Sequence, residues 1–318
     1  MFGIFKKQFD PEEHELAISE WDEYIGQDDL KEKLSIAIEA AKQRNGPPPH
    51  CLFASLAGHG KSTIAQIMAK QYGTECKTYI STAIKEPADL VEICTKAEEN
   101  SIHFLDECHE LSRSVQTMML SVLQDKKITI KSEKSLIHIP VKPFCFVAAT
   151  TNLEKLSDPF KNRFGILHTL SPYTQEEIAL ILKQSFIKIG YDVDQEILEE
   201  IAKRSRLVPR NANRLALRIR DFCQVKNNNQ IDMEAVNSAL ELEGIDDDGL
   251  TKKDWEYLRL IYDKFGGGPC GVASLASMMG EKKEFLERDI EPFLSQKELL
   301  SRTARGRILT QKAINLIL

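Results

Sequence analysis

The 318-residue chain has no stretch approaching 18 consecutive apolar residues, so it offers no membrane-spanning helix. Its opening, MFGIFKKQFD, sets Lys6 and Lys7 after a few apolar positions and lacks an apolar core long enough for a secretion signal. No C-x-x-C pair occurs among the seven cysteines (51, 76, 94, 108, 145, 223 and 270). Their odd number and their placement inside apolar runs exclude a disulfide framework and a zinc site, and read as reduced thiols. No internal repeat or low-complexity tract is present. Nor is there a basic excess: 42 Lys and Arg against 48 Asp and Glu leave a net charge of −6, which argues against wholesale coating of nucleic acid. The expectation is a cytoplasmic protein with no membrane contact. Hydrophobic residues at 42% and charged residues at 28% are ordinary globular chemistry, with length for two or three domains.

What is present has a clear order. An alternately charged helix over 27–45 stops before Gly46-Pro47-Pro48-Pro49. The apolar run 50–54 then leads through a glycine loop into a helix from Thr63 to Lys70, the strand–loop–helix opening of an α/β nucleotide fold. Runs at 103–106 and 145–149 predict further buried strands of a parallel sheet covered on both faces. Between them, alternation over 128–131 and 136–139 around 132–135 predicts a half-exposed hairpin.

After Pro172 only helices are expected. Thr174 with Glu177 makes a capping box, Asp194 can cap a second helix, Pro209 opens a third that runs to about Val225, and a short fourth covers about 232–243. A hinge at 245–249 introduces the last seventy residues. There, Trp255, Leu258, Tyr262 and Phe265 recur at helical spacing, two short helices follow Gly266-Gly267-Gly268-Pro269, and 300–309 reads as strand–turn–strand bent at Gly306. Three helices and a terminal hairpin outline a winged helix.

The phosphate-binding signature is Gly58-His59-Gly60-Lys61-Ser62-Thr63. Glycines allow close N–H approach to a polyphosphate, the lysine meets its β/γ oxygens, the hydroxyl suits Mg²⁺, and the helix N-terminus adds its dipole. Ser55 replaces the first glycine of the G-x-x-x-x-G-K-[ST] pattern. Asp106-Glu107 closes the second strand. Alone, an acidic pair there is usually a solvated strand end, but 45 residues after Lys61 it suits a metal carboxylate and a water-orienting carboxylate. His59 and His109 read as lone histidines, the first simply a loop residue, and Met118-Met119 as helix core.

With Tyr24-Ile25-Gly26-Gln27, Leu105-Asp106-Glu107, Ala149-Thr150-Thr151-Asn152 and Arg163-Phe164-Gly165 in this order, the chain resembles the AAA+ ATPases. The stretches 208–215, 263–269 and 302–307 narrow the resemblance to the RuvB family, bacterial motors that drive branch migration of Holliday junctions. From about residue 20 to the end, the resemblance implies an α/β fold: an AAA+ P-loop core with a parallel sheet over 1–173, a small all-helical lid over 174–246 and a winged-helix DNA-binding head over 247–318. It implies ATP and Mg²⁺ as ligands, with Lys61 on the β/γ-phosphates, Ser62 on the metal, Asp106 in its surroundings and Glu107 polarising water. Thr151 resembles the sensor that orients that water, Arg163 an arginine finger serving the next subunit of a homohexamer, and Arg210 the lid residue that reads the γ-phosphate. Gly58, His59, Gly60 and Thr63 complete the phosphate loop, and Leu16, Tyr24, Ile25 and Tyr173 line the adenine pocket. The hairpin 127–139 would meet a RuvA-like partner, the head would hold four-way junction and duplex DNA, and a junction resolvase is a further implied partner of this bacterial or phage-derived protein.

Several positions depart from the family pattern. Ser55 is expected to strain the phosphate loop, Ala17 and Lys161 stand where arginines are usual, Gln124-Asp125-Lys126 replaces a more acidic segment, and Leu207 replaces a glycine. None removes a catalytic group. At the tail, residues 299–318 hold Arg302, Arg305, Arg307 and Lys312 and no acid, and screening over about 10 Å lets such a cluster grip phosphates in an acidic chain. A solvated basic terminus is the plainer reading; arginines around a glycine turn give the wing reading, phosphate contacts that carry no sequence information. The rivals to a junction motor are a clamp- or helicase-loader ATPase, which lacks the winged-helix tail in the clamp-loader case, and a nucleotide-gated scaffold that does not hydrolyse.

Overall fold

A computed structural model describes residues 15–131 and 136–318. The readings made on residues 1–14 and on the turn 132–135 lie outside the described residues. The chain divides into two compact units, 1–190 and 191–318.

The first unit is built on strands β1 (Cys51–Ala54), β2 (Cys76–Ile80), β3 (Ile102–Asp106), β6 (Cys145–Thr150) and β7 (Ile166–Thr169), all parallel in the order β2-β3-β6-β1-β7. Strand alternation sorts their side chains into two layers. Leu52, Leu105, Phe146 and Ala148 face one layer, together with the helices Pro87–Thr95 and Arg113–Asp125. Cys51, Phe53, Ile102, Phe104, Cys145 and Val147 face the other, with the helices Asp28–Gln43 and Lys61–Tyr72. Both faces are covered, so the central strands read as unbroken apolar runs. Fully burying one such leucine or phenylalanine contributes about 1.5–3 kcal/mol. The sequence reading did not anticipate the edge strands β2 and β7: both mix polar with apolar residues and are only partly covered. Strands β4 (Lys127–Lys131) and β5 (Leu136–Pro140) pair antiparallel as the expected hairpin, with Leu136 and Ile137 exposed.

The helix Gln175–Lys188 carries the reciprocal Thr174–Glu177 capping box. It belongs to the first unit, where Lys188 bonds to Glu23 at 2.9 Å and to the Ala17 carbonyl at 2.9 Å.

The second unit opens with helices Gln195–Arg204, Pro209–Lys226 and Met233–Leu242. Asp194 sits at the first cap, but its side chain makes no capping bond there. The expected hinge at 245–249 is a tied turn instead. Ile245 bridges to Thr251, and the Asp246 carboxylate accepts from Asp248 N, Leu250 N and Trp255 Nε1 at 2.7–3.0 Å. Arg206 spans the same junction, bonding Asp254, Thr251 and the Asp289 carbonyl while stacking over Phe293. Asp246 and Arg206 are charged residues whose ring and backbone partners come from other turns, which spacing alone does not reveal.

The remaining elements are helices Lys252–Phe265 and Val272–Met279, a helical stretch 283–296 containing a π segment, and antiparallel strands β8 (Leu300–Thr303) and β9 (Gly306–Leu309). Helix Gln311–Ile317, which the sequence reading did not anticipate, closes the chain. Gly306 is required at the bend: its φ is +131°, and a Cβ there would lie 2.3 Å from the Cys270 carbonyl oxygen.

Candidate nucleotide site and wing

The sheet order sets β1, β6 and β3 side by side, so the segments leaving their carboxyl ends converge. Ser55 follows β1, Asp106 ends β3 and Thr151 follows β6. Ligands of open parallel sheets bind at that edge.

The loop 55–60 feeds the helix Lys61–Tyr72, with Gly60 in the left-handed region at φ +88°. A Cβ at Gly60 would come within 2.8 Å of the Tyr24 hydroxyl, so any side chain there would close the loop against the tyrosine. Lys61 is 7% exposed, and its ammonium donates to the carbonyls of Ser55 at 2.8 Å and Leu56 at 3.0 Å and to Ser55 Oγ at 3.1 Å. Oxygens of the loop therefore surround the cation, as phosphate oxygens would. The strain expected at Ser55 is absent: Ser55 is not among the residues with positive φ, and its hydroxyl joins the lysine's shell.

Tyr24, Tyr173 and His59 gather beside this loop. Tyr173 donates to the Tyr24 hydroxyl at 3.1 Å, Tyr24 donates to the His59 carbonyl at 3.4 Å, and the His59 and Tyr173 rings lie 6.0 Å apart. Burial pushes both phenols up and the His59 imidazole down, so all three are neutral at pH 7. His59 is not partnerless, because Nδ1 donates to the Ala57 carbonyl at 3.1 Å. Leu16 is buried and Ile25 half-buried near the same chain segment. Gln27 clasps Ser171 through two hydrogen bonds, its Nε2 donating to the Ser171 carbonyl at 2.8 Å and its Oε1 accepting from Ser171 N at 3.0 Å, tying that segment to the one that carries Tyr173.

Glu107 holds left-handed backbone, φ +52°, directly after Asp106. Non-glycine residues rarely adopt it, and such positions concentrate at working sites. Its Oε2 accepts from Thr151 N at 3.0 Å and Thr151 Oγ1 at 2.9 Å, and His109 Nδ1 lies 3.1 Å away. Burial pushes the Glu107 pKa up, but the bonds from His109 and Thr151 outweigh it and hold the group at about 2. Ser81 Oγ donates to the Asp106 carbonyl at 2.6 Å, bracing the strand end.

His109 corrects the reading of a lone histidine. Its buried ring touches Glu107 and Thr150 through Nδ1 and Glu110 through Nε2. Sequence reasoning missed these contacts because they depend on β3 lying beside β6.

Arg163 is exposed on the turn after the helix Asp158–Lys161, and buried Phe160 and Phe164, 5.2 Å apart, anchor that turn on either side. Lys161 pairs with Asp158 at 2.7 Å. Arg210 is exposed in the first turn of Pro209–Lys226, in the second unit. Two residues before that helix, Leu207 has φ +56°, which explains why a glycine suits the position.

For a divalent cation, Ser62 and Asp106 supply hydroxyl and carboxylate oxygens from the same sheet edge, the hard donors that Mg²⁺ takes. Among the described residues no cluster of three or more His, Cys, Asp or Glu could hold a metal ion.

The wing arginines separate into different roles. Arg305 is exposed. Arg302, 45% exposed, reaches Glu291 at 2.8 Å and the Glu287 carbonyl at 3.2 Å. Arg307 turns inward, bonding Glu291 at 2.9 and 3.0 Å and Glu287 at 2.9 Å, and the hydrogen bonds to Glu291 raise its pKa further. Tyr257 also donates to Glu291, at 2.8 Å. The expectation of three phosphate-facing arginines is therefore corrected at Arg307, which braces the base of the wing.

Three family models match the chain in succession from residue 16: the Holliday junction DNA helicase RuvB P-loop domain over residues 16–170, the RuvB AAA lid domain over 173–246 and the RuvB C-terminal winged helix domain over 247–318. The Holliday junction branch migration complex subunit RuvB of Acholeplasma laidlawii is 39% identical over 93% of this chain and 89% of its own length. That of Bdellovibrio bacteriovorus is 37% identical over 96% and 94%. The solved structure of the Thermotoga maritima RuvB Holliday junction branch migration motor superposes with a TM-score of 0.86 at 35% identity, covering 95% of this chain and 98% of that one. With its P-loop core, lid and winged helix all matched, the chain belongs to the RuvB family.

Proposed function

We propose that this protein is an ATP-driven DNA motor that moves the branch point of Holliday junctions in recombination and repair. The observation that carries the reading is the convergence of the Lys61 loop, Asp106, Glu107 and Thr151 on one sheet edge, in a chain that matches RuvB over nearly its whole length.

Lys61 binds the β/γ oxygens of ATP, and Leu16, Tyr24, Ile25 and Tyr173 form the adenine side, with Gly58, His59, Gly60 and Thr63 offering the phosphate loop's backbone. Ser62, with Asp106 behind it, would hold Mg²⁺, which when bound neutralises charge on the phosphates. Glu107 is charged throughout the neutral range and polarises the attacking water, while Thr151 fixes the orientation of its carboxylate. Arg163, exposed on an anchored turn, serves the site of the next subunit in a homohexameric ring, and Arg210 senses the γ-phosphate from the lid. Domains of 1–173, 174–246 and 247–318 divide this work. Arg302 and Arg305 contact duplex phosphates. The exposed Leu136 and Ile137 of the hairpin 127–139 dock a RuvA-like protein, a junction resolvase joins the same assembly, and the whole acts in the cytoplasm.

The test is ATP hydrolysis by the purified chain, alone, with a synthetic four-way junction, and with junction plus a bacterial RuvA. Strong stimulation by the last combination, with branch migration of a labelled junction, is expected. Stimulation by a sliding clamp instead would reassign the chain to loader chemistry, and no hydrolysis under any condition would make it a scaffold.

A further inference from the structure

We propose that His109, held in turn by Glu110, is a positioning residue for Glu107; the inference rests on the reading of Glu107 as the water-activating carboxylate. The geometry is a relay across two strands. His109 Nδ1 lies 3.1 Å from Glu107 Oε2 and 3.0 Å from Thr150 Oγ1, while Nε2 lies 2.9 Å from Glu110 Oε1. Carboxylates only accept hydrogen bonds, so a ring nitrogen that bonds one donates to it, through one nitrogen in the neutral ring and through both in the imidazolium. The ring side chain is 1% exposed and cannot swing to solvent, and Lys155 approaches Glu110 Oε1 at 3.5 Å from the loop after β6. Glu110 thus fixes the ring, and the ring fixes Glu107.

Thr151 alone would not lock the carboxylate. Its hydroxyl and amide both reach Oε2 from the β6 side. His109 reaches the same oxygen from the short helical turn Cys108–Glu110 that follows β3. Bonds from two elements thus hold that oxygen from two sides. Glu107 sits on left-handed backbone, so its side chain leaves the strand in a direction that brings it to this pair of donors. A misplacement of about 1 Å in a reacting group can cost about 10²-fold in rate, and that is the scale expected here.

The experiment compares His109→Leu, His109→Asn, Glu110→Gln and Glu107→Gln in the full chain, measuring nucleotide binding, kcat and KM with junction and RuvA present, and melting temperature. The expected result is a fall in kcat of about 10²-fold in His109→Leu with nucleotide affinity kept, partial recovery in His109→Asn, whose amide can still donate, and a smaller fall in Glu110→Gln. The double variant Glu107→Gln/His109→Leu should be no slower than Glu107→Gln alone, because the histidine acts only through that carboxylate. Unchanged kcat in His109→Leu, or a further loss in the double variant, overturns the proposal. If Glu107→Gln itself turns over normally, the reading of Glu107 fails first and is seen to fail separately. Should His109→Leu not fold, Glu110→Gln decides alone: its side chain is 42% exposed and tolerates exchange, and wild-type kcat in it overturns the relay.

Discussion

Two glutamates in this molecule are each held by a cluster of donors, and they do opposite things. Glu291, in the second unit, is fully buried and takes bonds from Arg302, Arg307 and Tyr257. Glu107, in the first, keeps 29% of its side chain exposed and is held by a histidine, a hydroxyl and a backbone amide. Guanidinium partners at short range saturate a buried carboxylate and make it a strut. Lighter donors at a strand end leave a carboxylate charged, oriented and reachable. The comparison separates a carboxylate sealed among guanidinium groups from one that is bonded yet still open to solvent.

The sharpest way to break the comparison is to neutralise each acid. Glu107→Gln should keep nucleotide binding and lose about 10²–10⁴-fold in turnover, the usual worth of a positioned proton acceptor. Steady-state ATPase beside nucleotide titration reads both, and near-normal turnover would remove Glu107 from the chemistry. Arg163→Ala should lose about 10³-fold or more, and mixing it with Lys61→Ala subunits should restore some hydrolysis, because some interfaces then pair an intact loop with an intact arginine. No recovery at any mixing ratio would place Arg163 outside a shared site.

The scaffold side responds in stability. Arg307→Ala strips the buried Glu291 of two bonds, and stripping a buried ion of its partner costs about 3–5 kcal/mol. Arg302 still reaches Glu291, so the low end of that range is expected, read by denaturant unfolding. A variant as stable as wild type would return Arg307 to the DNA-facing set.

Acid exposes the same contrast more gently. The folded Glu107 pKa of about 2 lies below its ordinary 4.5, so the group adds stability that is complete above about pH 5 and lost as pH falls towards 2. The gap in melting temperature between wild type and Glu107→Gln should therefore narrow over that window. A gap that widens on acidification would contradict the held-down carboxylate.

How much of this could be read from the chain alone follows from where each partner lies in sequence. The strands β1, β3 and β6 were legible because burial on both faces makes them continuous apolar runs, while β2 and β7, covered on one side, looked like ordinary mixed segments. The phosphate loop and Asp106-Glu107 were legible because their spacing is local. His109 was not, because Glu107 and Glu110 become its partners only through the turn after β3, and Thr150 only because β6 lies beside β3. Arg307 misled for the same reason: its acids sit 16 and 20 residues upstream, on a helix that the wing folds back against. The 245–249 segment looked like a hinge because acids and glycine are common in linkers, yet Asp246 spends its carboxylate on the backbone and on Trp255.

The smallest expected effect sharpens the wing. Arg305 is exposed at the turn between β8 and β9, so Arg305→Ala should leave melting unchanged. It should also leave basal ATPase unchanged, because the residue belongs to the second unit while Lys61 and Glu107 belong to the first. DNA affinity should fall by a similar factor on unrelated junction sequences, since phosphate contacts position a protein without reading bases. A plot of log K against log salt should flatten by about 0.9, the slope of one phosphate contact on duplex DNA. Arg302→Ala should flatten it by less, because that guanidinium already spends a bond on Glu291. Salt titrations of the three proteins separate these outcomes. Parallel slopes at equal affinity would make the exposed wing a solvated terminus, and DNA would then be held elsewhere on the molecule.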